Sequence, residues 1–229
     1  MRTEEIISSL RSCPVFAGIS EADLKSIAAA VVVKTLGKGE FLFHKGDVEH
    51  GFYVVQSGSI ALYRLNDAGR EHIICIYHKG DTFAEGSIIN TSGAPVDAFV
   101  FEPTRLLLIP RETALAVARH EHRFMLNLLG AMSTHVRECF RGMADLALRG
   151  VNQRLASWLV AKCPDPQGTR PVHITLPATK HLLAAELGTI DETLSRELAK
   201  LRKQKLISVD GRNITVLSPR KLNAISREN

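Results

Sequence analysis

The sequence lacks the features that mark membrane and secreted proteins. Among its 229 residues, the longest apolar run covers residues 27–33, far short of the about 18 residues needed to span a bilayer. The N-terminal segment carries Glu4 and Glu5 and has no apolar stretch followed by a small-residue cleavage site, so it is not a signal peptide. These absences predict a soluble cytoplasmic protein without a membrane partner.

Cysteine is scarce and scattered. The four cysteines, Cys13, Cys75, Cys139 and Cys163, form no CxxC pair, which argues against a disulfide framework and a cysteine-rich zinc or iron–sulfur site. A four-iron cluster needs four thiolate ligands, and only Cys13 lies near the N-terminus. We therefore expect no metal site and no iron–sulfur cluster. The cysteines are interpreted as buried apolar residues, with a redox switch as the alternative.

Catalytic motifs are missing as well. The sequence contains no HExxH motif, no nucleophile elbow and no P-loop. A β-roll oxygenase would need a His-x-His pair on a strand, but His120 and His122 lie in sequence of helical character. The sequence therefore predicts a protein that is not an enzyme and has no catalytic residues.

Charge is unevenly divided along the chain. Residues 1–149 contain 16 basic and 17 acidic residues, whereas residues 150–229 contain 13 basic and 7 acidic residues. The net charge of +5 therefore comes from the last third of the chain. Such asymmetry is typical of a polyanion-binding module joined to a neutral one, although a solvated basic face would give the same composition.

Short strand-like runs recur between residues 34 and 110, after a segment of helical character at residues 4–33. Turns containing glycine separate them, because glycine supplies the positive φ that tight turns require. The predicted strands cover residues 40–44, 51–56, 59–65, 71–77, 98–101 and 105–109. Many short strands with regular glycine-containing turns predict an antiparallel sandwich or barrel.

A long helix is predicted after Pro110, with a heptad seam between residues 126 and 148. A helix of about 28 residues would be ~42 Å long. The predicted seam and interface residues are Leu129, Met132, Val136, Cys139, Phe140, Met143 and Leu146. We interpret the seam as a parallel coiled coil in a homodimer, with packing inside one chain as the alternative. Gly150 interrupts the helix and is a candidate hinge.

The segment from Leu176 to Leu217 has the pattern of a winged helix-turn-helix. A first helix at residues 180–187 is followed by Gly188 at the turn and by a second helix that continues through Lys203. The two predicted wing strands cover residues 206–209 and 214–217.

The second of these helices presents polar side chains on the face opposite its leucines. Its candidate DNA-contacting residues are Asp191, Glu192, Ser195 and Arg196, near the end that enters a major groove. Arg196 can pair with guanine, and Glu192 can accept a hydrogen bond from cytosine. Candidate phosphate contacts are Thr179, Lys180, Thr193 and Arg212. The alternative is that Glu192 and Arg196 form a surface ion pair.

From about Phe16 to Leu217, the sequence resembles the catabolite-activator/FNR (Crp/Fnr) family of bacterial transcription regulators. The resemblance is carried by Lys38-Gly39-Glu40, Gly46-Asp47, Phe52-Tyr53-Val54-Val55, Gly58-Ser59-Ile60, Gly80 to Glu85, and Glu192 to Arg196. It implies an α+β fold with three parts. The first part (residues 1–119) is an N-terminal antiparallel β-roll, which is a jelly roll like that of cyclic-nucleotide-binding domains. The second is a dimerisation helix (120–149), and the third is a C-terminal winged helix-turn-helix (150–229).

The same resemblance implies partners and an effector pocket. The partners would be a second copy of the chain, double-stranded DNA with inverted TTGAT-like half-sites, and RNA polymerase. The effector pocket would contain Ala84, Glu85, Gly86, Ser87, Asp97, His135 and Cys139. Relatives that bind cyclic nucleotides hold the phosphate with an arginine and a serine, whereas the matching positions fall near Pro95-Val96-Asp97, which carry no cation.

We therefore expect an effector other than cyclic AMP. A cyclic-nucleotide-responsive regulator and a regulatory module of a larger signalling protein are the alternatives. The segment from Asp81 to Glu85 resembles the dissimilatory nitrate-respiration regulator branch, whose members respond to nitric oxide and are linked to haem. Haem is therefore a candidate cofactor. Its candidate axial ligands are His44, His50, His72, His78, His120, His122 and His135, each of which can also be a surface or hydrogen-bonded histidine.

Overall fold

The computed structural model describes residues 3–65, 71–176 and 180–227. Its helices are α1 (Thr3–Arg11), α2 (Glu21–Ala30), α3 (Arg111–Ala118), α4 (His122–Leu148), α5 (Val151–Ala161), α6 (Lys180–Glu186), α7 (Asp191–Lys203) and α8 (Pro219–Arg227). Its strands are β1 (Val32–Leu36), β2 (Phe41–Phe43), β3 (Gly51–Ser57), β4 (Ser59–Leu65), β5 (Glu71–His78), β6 (Thr82–Phe83), β7 (Asp97–Phe99), β8 (Thr104–Pro110), β9 (Val172–Thr175), β10 (Ile207–Asp210) and β11 (Asn213–Val216). Short 3-10 turns lie at Pro14–Phe16 and Glu85–Ile88. Among the described helices, none combines the length and apolar character needed to cross a membrane.

Backbone contacts divide the chain into two compact units, Met1–Cys139 and Phe140–Asn229. In the first unit, two four-stranded sheets are ordered β1-β8-β3-β6 and β2-β7-β4-β5, and their strands pair antiparallel. Phe83 and Leu106 of the first sheet pack in one core with Ile60 and Ala98 of the second. The predicted antiparallel β-roll is therefore confirmed.

The β-roll begins earlier than the sequence pattern predicts. Val32 and Val33, which the pattern assigns to a helix, belong to β1 and pair with Leu108 and Leu107 of β8. Helix α2 ends at Ala30 because β-branched valines disfavour helix and because β8 supplies a hydrogen-bonding partner. The short strand β6 is also missing from the prediction, since it has only two residues.

The N-terminal helices pack on the other face of the first sheet. Phe16 stacks on Phe52 of β3 and on Phe124 of α4, with ring centroids 6.2 and 5.8 Å apart. Ser20 caps α2 as predicted, because its hydroxyl oxygen accepts a hydrogen bond from the Asp23 N–H at 3.0 Å. These contacts attach α1, α2 and the start of α4 to the roll.

His120 joins the connection between α3 and α4 to α2. Its Nε2 lies 2.8 Å from Asp23 Oδ1, and its Nδ1 lies 3.0 Å from the Ala116 carbonyl oxygen. Both partners are hydrogen-bond acceptors, so the two contacts together favour the protonated ring. The hydrogen bond to Asp23 raises the pKa of His120, while hydrogen bonds from Ser20 and then His120 lower the pKa of Asp23.

Replacing Asp23 with asparagine is expected to lower the pKa of His120 towards its ordinary value, because the main cause of the rise is removed. In the wild type, the contact between His120 and Asp23 contributes to folding stability. This contribution is lost as pH rises through the raised His120 pKa and as pH falls through the lowered Asp23 pKa. An NMR titration of the His120 ring measures this, with Glu112→Gln as the control for loss of an exposed acid that does not contact His120. An unchanged pKa in Asp23→Asn would contradict the contact.

Helix α4 has 27 residues, close to the predicted length. It ends before Gly150, which is the N-cap of α5. Apolar side chains at heptad spacing are exposed along it, including Leu129 at 57%, Val136 at 53% and Met143 at 66%. We call the set Leu129, Met132, Val136, Cys139, Phe140, Met143 and Leu146 the α4 seam.

The second unit contains the predicted helix-turn-helix and wing. Strands β10, β11 and β9 form one sheet in that order, and Leu194, Leu198 and Ile214 pack with Leu155 of α5 in one core. Two elements are missing from the prediction. Strand β9 has only four residues, and α8 begins at Pro219, which is compatible with a first helical position because that N–H needs no partner.

Candidate DNA interface and effector cavity

The turn between α6 and α7 sets the geometry of the candidate DNA interface. Gly188 has a φ of +60°, a left-handed conformation that glycine adopts without strain. Its N–H donates to the Ala185 carbonyl at 3.1 Å and closes the end of α6. In α7, Leu194, Leu198 and Leu201 are buried. The opposite face of α7 is therefore left for solvent or a ligand.

The predicted base-reading residues lie together on that exposed face. Asp191, Glu192, Ser195 and Arg196 are all exposed, within the first two turns of α7. The Arg196 Nη2 donates to Thr193 Oγ1 at 3.1 Å, and across the described residues no ion pair joins Arg196 to Glu192. The alternative of a surface ion pair is thus not what the structure contains.

Asp191 also ties α7 to α6. Its carboxylate lies 3.2 Å from His181 Nδ1, and an acid in the first turn interacts favourably with the helix dipole. Lys180 is the first residue of α6 and is exposed. The predicted phosphate contacts also include Thr193, Arg212 and Thr179. Of these, Thr179 lies outside the described residues.

Arg212 lies in the turn of the wing and is exposed. Its Nε and Nη2 donate to the Leu176 carbonyl at 3.2 and 2.8 Å, which joins the β10–β11 turn to the end of β9. Arg212 therefore has a structural contact that the sequence did not predict. Thr193 is half-buried and accepts the hydrogen bond from Arg196.

A cavity of about 270 Å³ lies in the β-roll. Three predicted effector residues, Ala84, Gly86 and Ser87, line it at the 3-10 turn after β6. The apolar lining residues are Phe43, Leu62, Ala84, Ala94, Pro95 and Val96, and the polar side chains are Glu49, Ser87 and Asn90. Pro95 and Val96 are the positions where the sequence predicted no cation for a phosphate.

Glu85 and His135 do not line this cavity and lie next to each other outside it. Glu85 is buried, accepts a hydrogen bond from the Thr82 hydroxyl, and lies 3.6 Å from His135 Nδ1 of α4. The edge of His135 also meets the ring of Tyr77 at a centroid distance of 5.1 Å. Glu85 turns to these polar partners and away from the apolar lining because its carboxylate needs hydrogen bonds when buried.

Asp97 and Cys139 also lie outside the cavity lining. The Asp97 carboxylate accepts a hydrogen bond from the Lys45 N–H at 3.1 Å and lies 3.1 Å from His44 Nδ1, so it binds the segment after β2. Cys139 is exposed on α4. Of the seven predicted effector residues, the structure therefore brings only Ala84, Gly86 and Ser87 together at the cavity.

Comparisons with known proteins account for both units. Residues 33–121 match the cyclic nucleotide-binding domain family, and residues 153–225 match the Crp-like helix-turn-helix domain family. The chain belongs to the Crp/Fnr family of transcription regulators.

Relatives of this Crp/Fnr regulator are similar over most of their length. The transcriptional activator protein Anr of Pseudomonas protegens is 28% identical, over 84% of this chain and 80% of the relative. The cyclic AMP receptor protein of Thermus thermophilus is 26% identical, over 86% of this chain and 89% of the relative. The structure of FixK2 from Bradyrhizobium japonicum shares the fold, with a TM-score of 0.74, 20% identity, and coverage of 87% and 98% of the two chains. The chain is a DNA-binding regulator and not an enzyme.

The cavity of this Crp/Fnr regulator contains one acid that sequence reasoning missed. Glu49 is half-buried, and its carboxylate accepts a hydrogen bond from the Tyr53 hydroxyl. Burial raises the pKa of Glu49, and burial together with the Glu49 contact raises the pKa of Tyr53. Glu49 lies in the loop just before β3, and nothing in the sequence distinguishes it from a solvent-exposed loop acid.

The residues that line the cavity can be compared with the needs of two candidate ligands, haem and a cyclic nucleotide. Among the described residues that line the cavity, none is histidine, cysteine, methionine or tyrosine, the side chains that hold haem iron. Haem therefore does not fit this cavity. That lining also contains no lysine or arginine to pair with a cyclic phosphate.

The cysteines have different environments. Cys13 and Cys163 are buried and Cys75 is half-buried, whereas Cys139 is exposed on α4 in the single chain. Burial raises the pKa of Cys13 and of Cys75 to about 11, which keeps both as weakly reactive thiols at neutral pH. In the described part of the chain, no group of three or more His, Cys, Asp or Glu side chains is arranged to hold a metal ion.

Proposed function

We infer that this Crp/Fnr regulator acts as a homodimer that reads an inverted-repeat site on double-stranded DNA. The observation that carries the inference is the exposed polar face at the start of α7, which Gly188 and the buried leucines hold towards solvent. A helix presenting such residues at its N-terminal end suits the major groove. The basic excess of residues 150–229 supplies the electrostatic attraction to the phosphates.

The dimer is supported by the α4 seam. Six residues at heptad spacing, with Phe140 beside them, leave an apolar stripe exposed on a 27-residue helix. A stripe of this kind is unfavourable in water and is the pattern that two parallel helices bury between them. A two-fold dimer would present two copies of α7 to half-sites about one turn of DNA apart.

Sequence preference would come from few contacts. Arg196 would donate to a guanine and Glu192 would accept from a cytosine amino group, consistent with TTGAT-like half-sites. Asp191 and Ser195 lie on the same face, and Thr179, Lys180, Thr193 and Arg212 would contact phosphates. RNA polymerase would be the protein partner at the promoter.

An effector bound in the β-roll would shift the dimer between states of different DNA affinity, which requires only a few kcal/mol of differential binding. A cyclic nucleotide is the alternative effector, because residues 33–121 match the cyclic nucleotide-binding domain family. The absence of a cation from the described cavity lining argues against it.

Selection from a random duplex library tests the function. We expect purified protein to enrich inverted repeats with two matching half-sites, and we expect fluorescence anisotropy to show weaker binding at higher salt. A scrambled duplex of the same length is the control. Equal affinity for the selected and scrambled duplexes would reject sequence-specific recognition.

A further inference from the structure

The cavity in the β-roll is small. Its volume of about 270 Å³ is just below the 300–1,000 Å³ typical of sites for drug-sized ligands. Water occupies about 30 Å³ per molecule in the liquid, so the cavity has room for the equivalent of about nine waters. The cavity therefore suits a small ligand.

The charge in the lining is of one sign. Glu49 is the ionisable side chain among the described residues that line the cavity, and it is half-buried. Lys34, His50 and Asp47 lie near Glu49 but do not line the cavity. An anionic ligand would face a carboxylate with no cation in the wall, at a high desolvation cost.

The polar groups in the lining mainly accept hydrogen bonds. The Glu49 carboxylate already accepts from Tyr53 and retains further lone pairs. The Ser87 hydroxyl donates to the Gly51 carbonyl, so its oxygen is left to accept. Asn90 Oδ1 accepts from the Ser92 N–H at 2.9 Å, which directs the Asn90 amide nitrogen to serve as the donor. A ligand group that donates to Glu49 would match this arrangement.

We propose that the β-roll cavity binds a small, mainly apolar amine or alcohol, whose donor group hydrogen-bonds to Glu49 and whose apolar body contacts Phe43, Leu62 and Val96. The proposal specifies the effector class of the regulator inferred above, and it rests on that function only for the consequence on DNA binding. An amine would be held as an ion pair with Glu49 and an alcohol as a neutral donor.

Three probes with one skeleton test the ligand class. Phenethylamine, 2-phenylethanol and 3-phenylpropionate differ mainly in the charge and donor capacity of the polar end. Isothermal titration calorimetry of the full-length protein, without DNA, is expected to show binding of the amine or the alcohol at least tenfold tighter than binding of the carboxylate. Tighter binding of the amine identifies the ion pair, and similar binding of amine and alcohol identifies the neutral hydrogen bond.

Two variants locate the binding. Glu49→Gln keeps an acceptor for Tyr53 but removes the charge, and it is expected to abolish the discrimination against the carboxylate. Ala94→Leu fills part of the cavity and is expected to weaken all three probes. Glu112→Gln, an exposed acid outside the lining, is the matched control, and circular dichroism confirms that each variant folds.

The outcomes separate this proposal from the proposed function. Binding of 3-phenylpropionate or cyclic AMP as tightly as the amine and alcohol, or no binding of amine and alcohol, overturns the ligand class. Unchanged probe binding in both Glu49→Gln and Ala94→Leu overturns the site. If the amine or alcohol binds through Glu49 but leaves the affinity for the selected duplex unchanged, the ligand class holds and the effector role of the proposed function fails.

Discussion

Replacing Arg196 with alanine is expected to cost about 1–3 kcal/mol of DNA-binding free energy per half-site and to relax the preference at one G·C pair. Arg196 lies on the exposed face of α7, and its guanidinium donates a hydrogen bond to the neighbouring Thr193 hydroxyl. Because no carboxylate holds it in the free protein, the side chain can turn to a base edge at little cost. Anisotropy titrations with duplexes that carry each of the four base pairs at that position measure the effect.

Lys180→Ala is the matched control for Arg196→Ala. Both substitutions remove one exposed cation from the same unit, but Lys180 is a candidate phosphate contact at the start of α6. It is expected to weaken binding to all sequences alike and to lower the salt slope by about 1. If Arg196→Ala also weakened binding to specific and random DNA equally, Arg196 would be a phosphate contact and not a base contact.

Replacing Val136 with glutamate is expected to weaken the dimer by at least about a hundredfold. Val136 lies in the middle of the α4 seam and is 53% exposed in the isolated chain. In a parallel dimer the two glutamates would face each other in an apolar interface, and an uncompensated buried charge costs on the order of 3–5 kcal/mol. Sedimentation velocity over a range of protein concentrations measures the dissociation constant.

Arg141→Glu is the control for Val136→Glu. Arg141 is an exposed residue of α4 outside the seam, and its substitution makes an even larger change in charge. We expect it to leave the dimer intact. A dimer that tolerates Val136→Glu as well as Arg141→Glu would show that these copies do not associate through the α4 seam. Loss of DNA binding in Val136→Glu alone would link dimerisation to recognition.

Patterns with a strong local cause were predicted well from the sequence. The length of α4 follows from six apolar positions in heptad register, and the turn at Gly188 follows from a glycine between two amphipathic helices. The helical assignment of Val32 and Val33 was wrong because they form a strand by pairing with β8, whose residues are about 75 positions away in the sequence. Local propensity does not contain that information.

The cavity was predicted less completely, since its residues come from separate segments. Ala84, Gly86 and Ser87 were found through a resemblance between motifs, but motif matching assigns consecutive residues to one site and cannot tell which way each points. Glu85 was assigned to the same effector pocket as Ala84, Gly86 and Ser87, whereas its carboxylate contacts Thr82 and His135 and does not line the cavity. Glu49 was missed because its proximity to Val96 depends on how β3 and β7 are placed in the roll.

Consecutive residues of the 3-10 turn at Glu85–Ile88 contact two different features, the cavity and helix α4. Gly86 and Ser87 border the cavity, and Glu85 meets His135 on α4 within the first unit. A ligand in the cavity would therefore contact the residue that follows Glu85 in the chain, while Glu85 itself contacts the longest helix among the described residues.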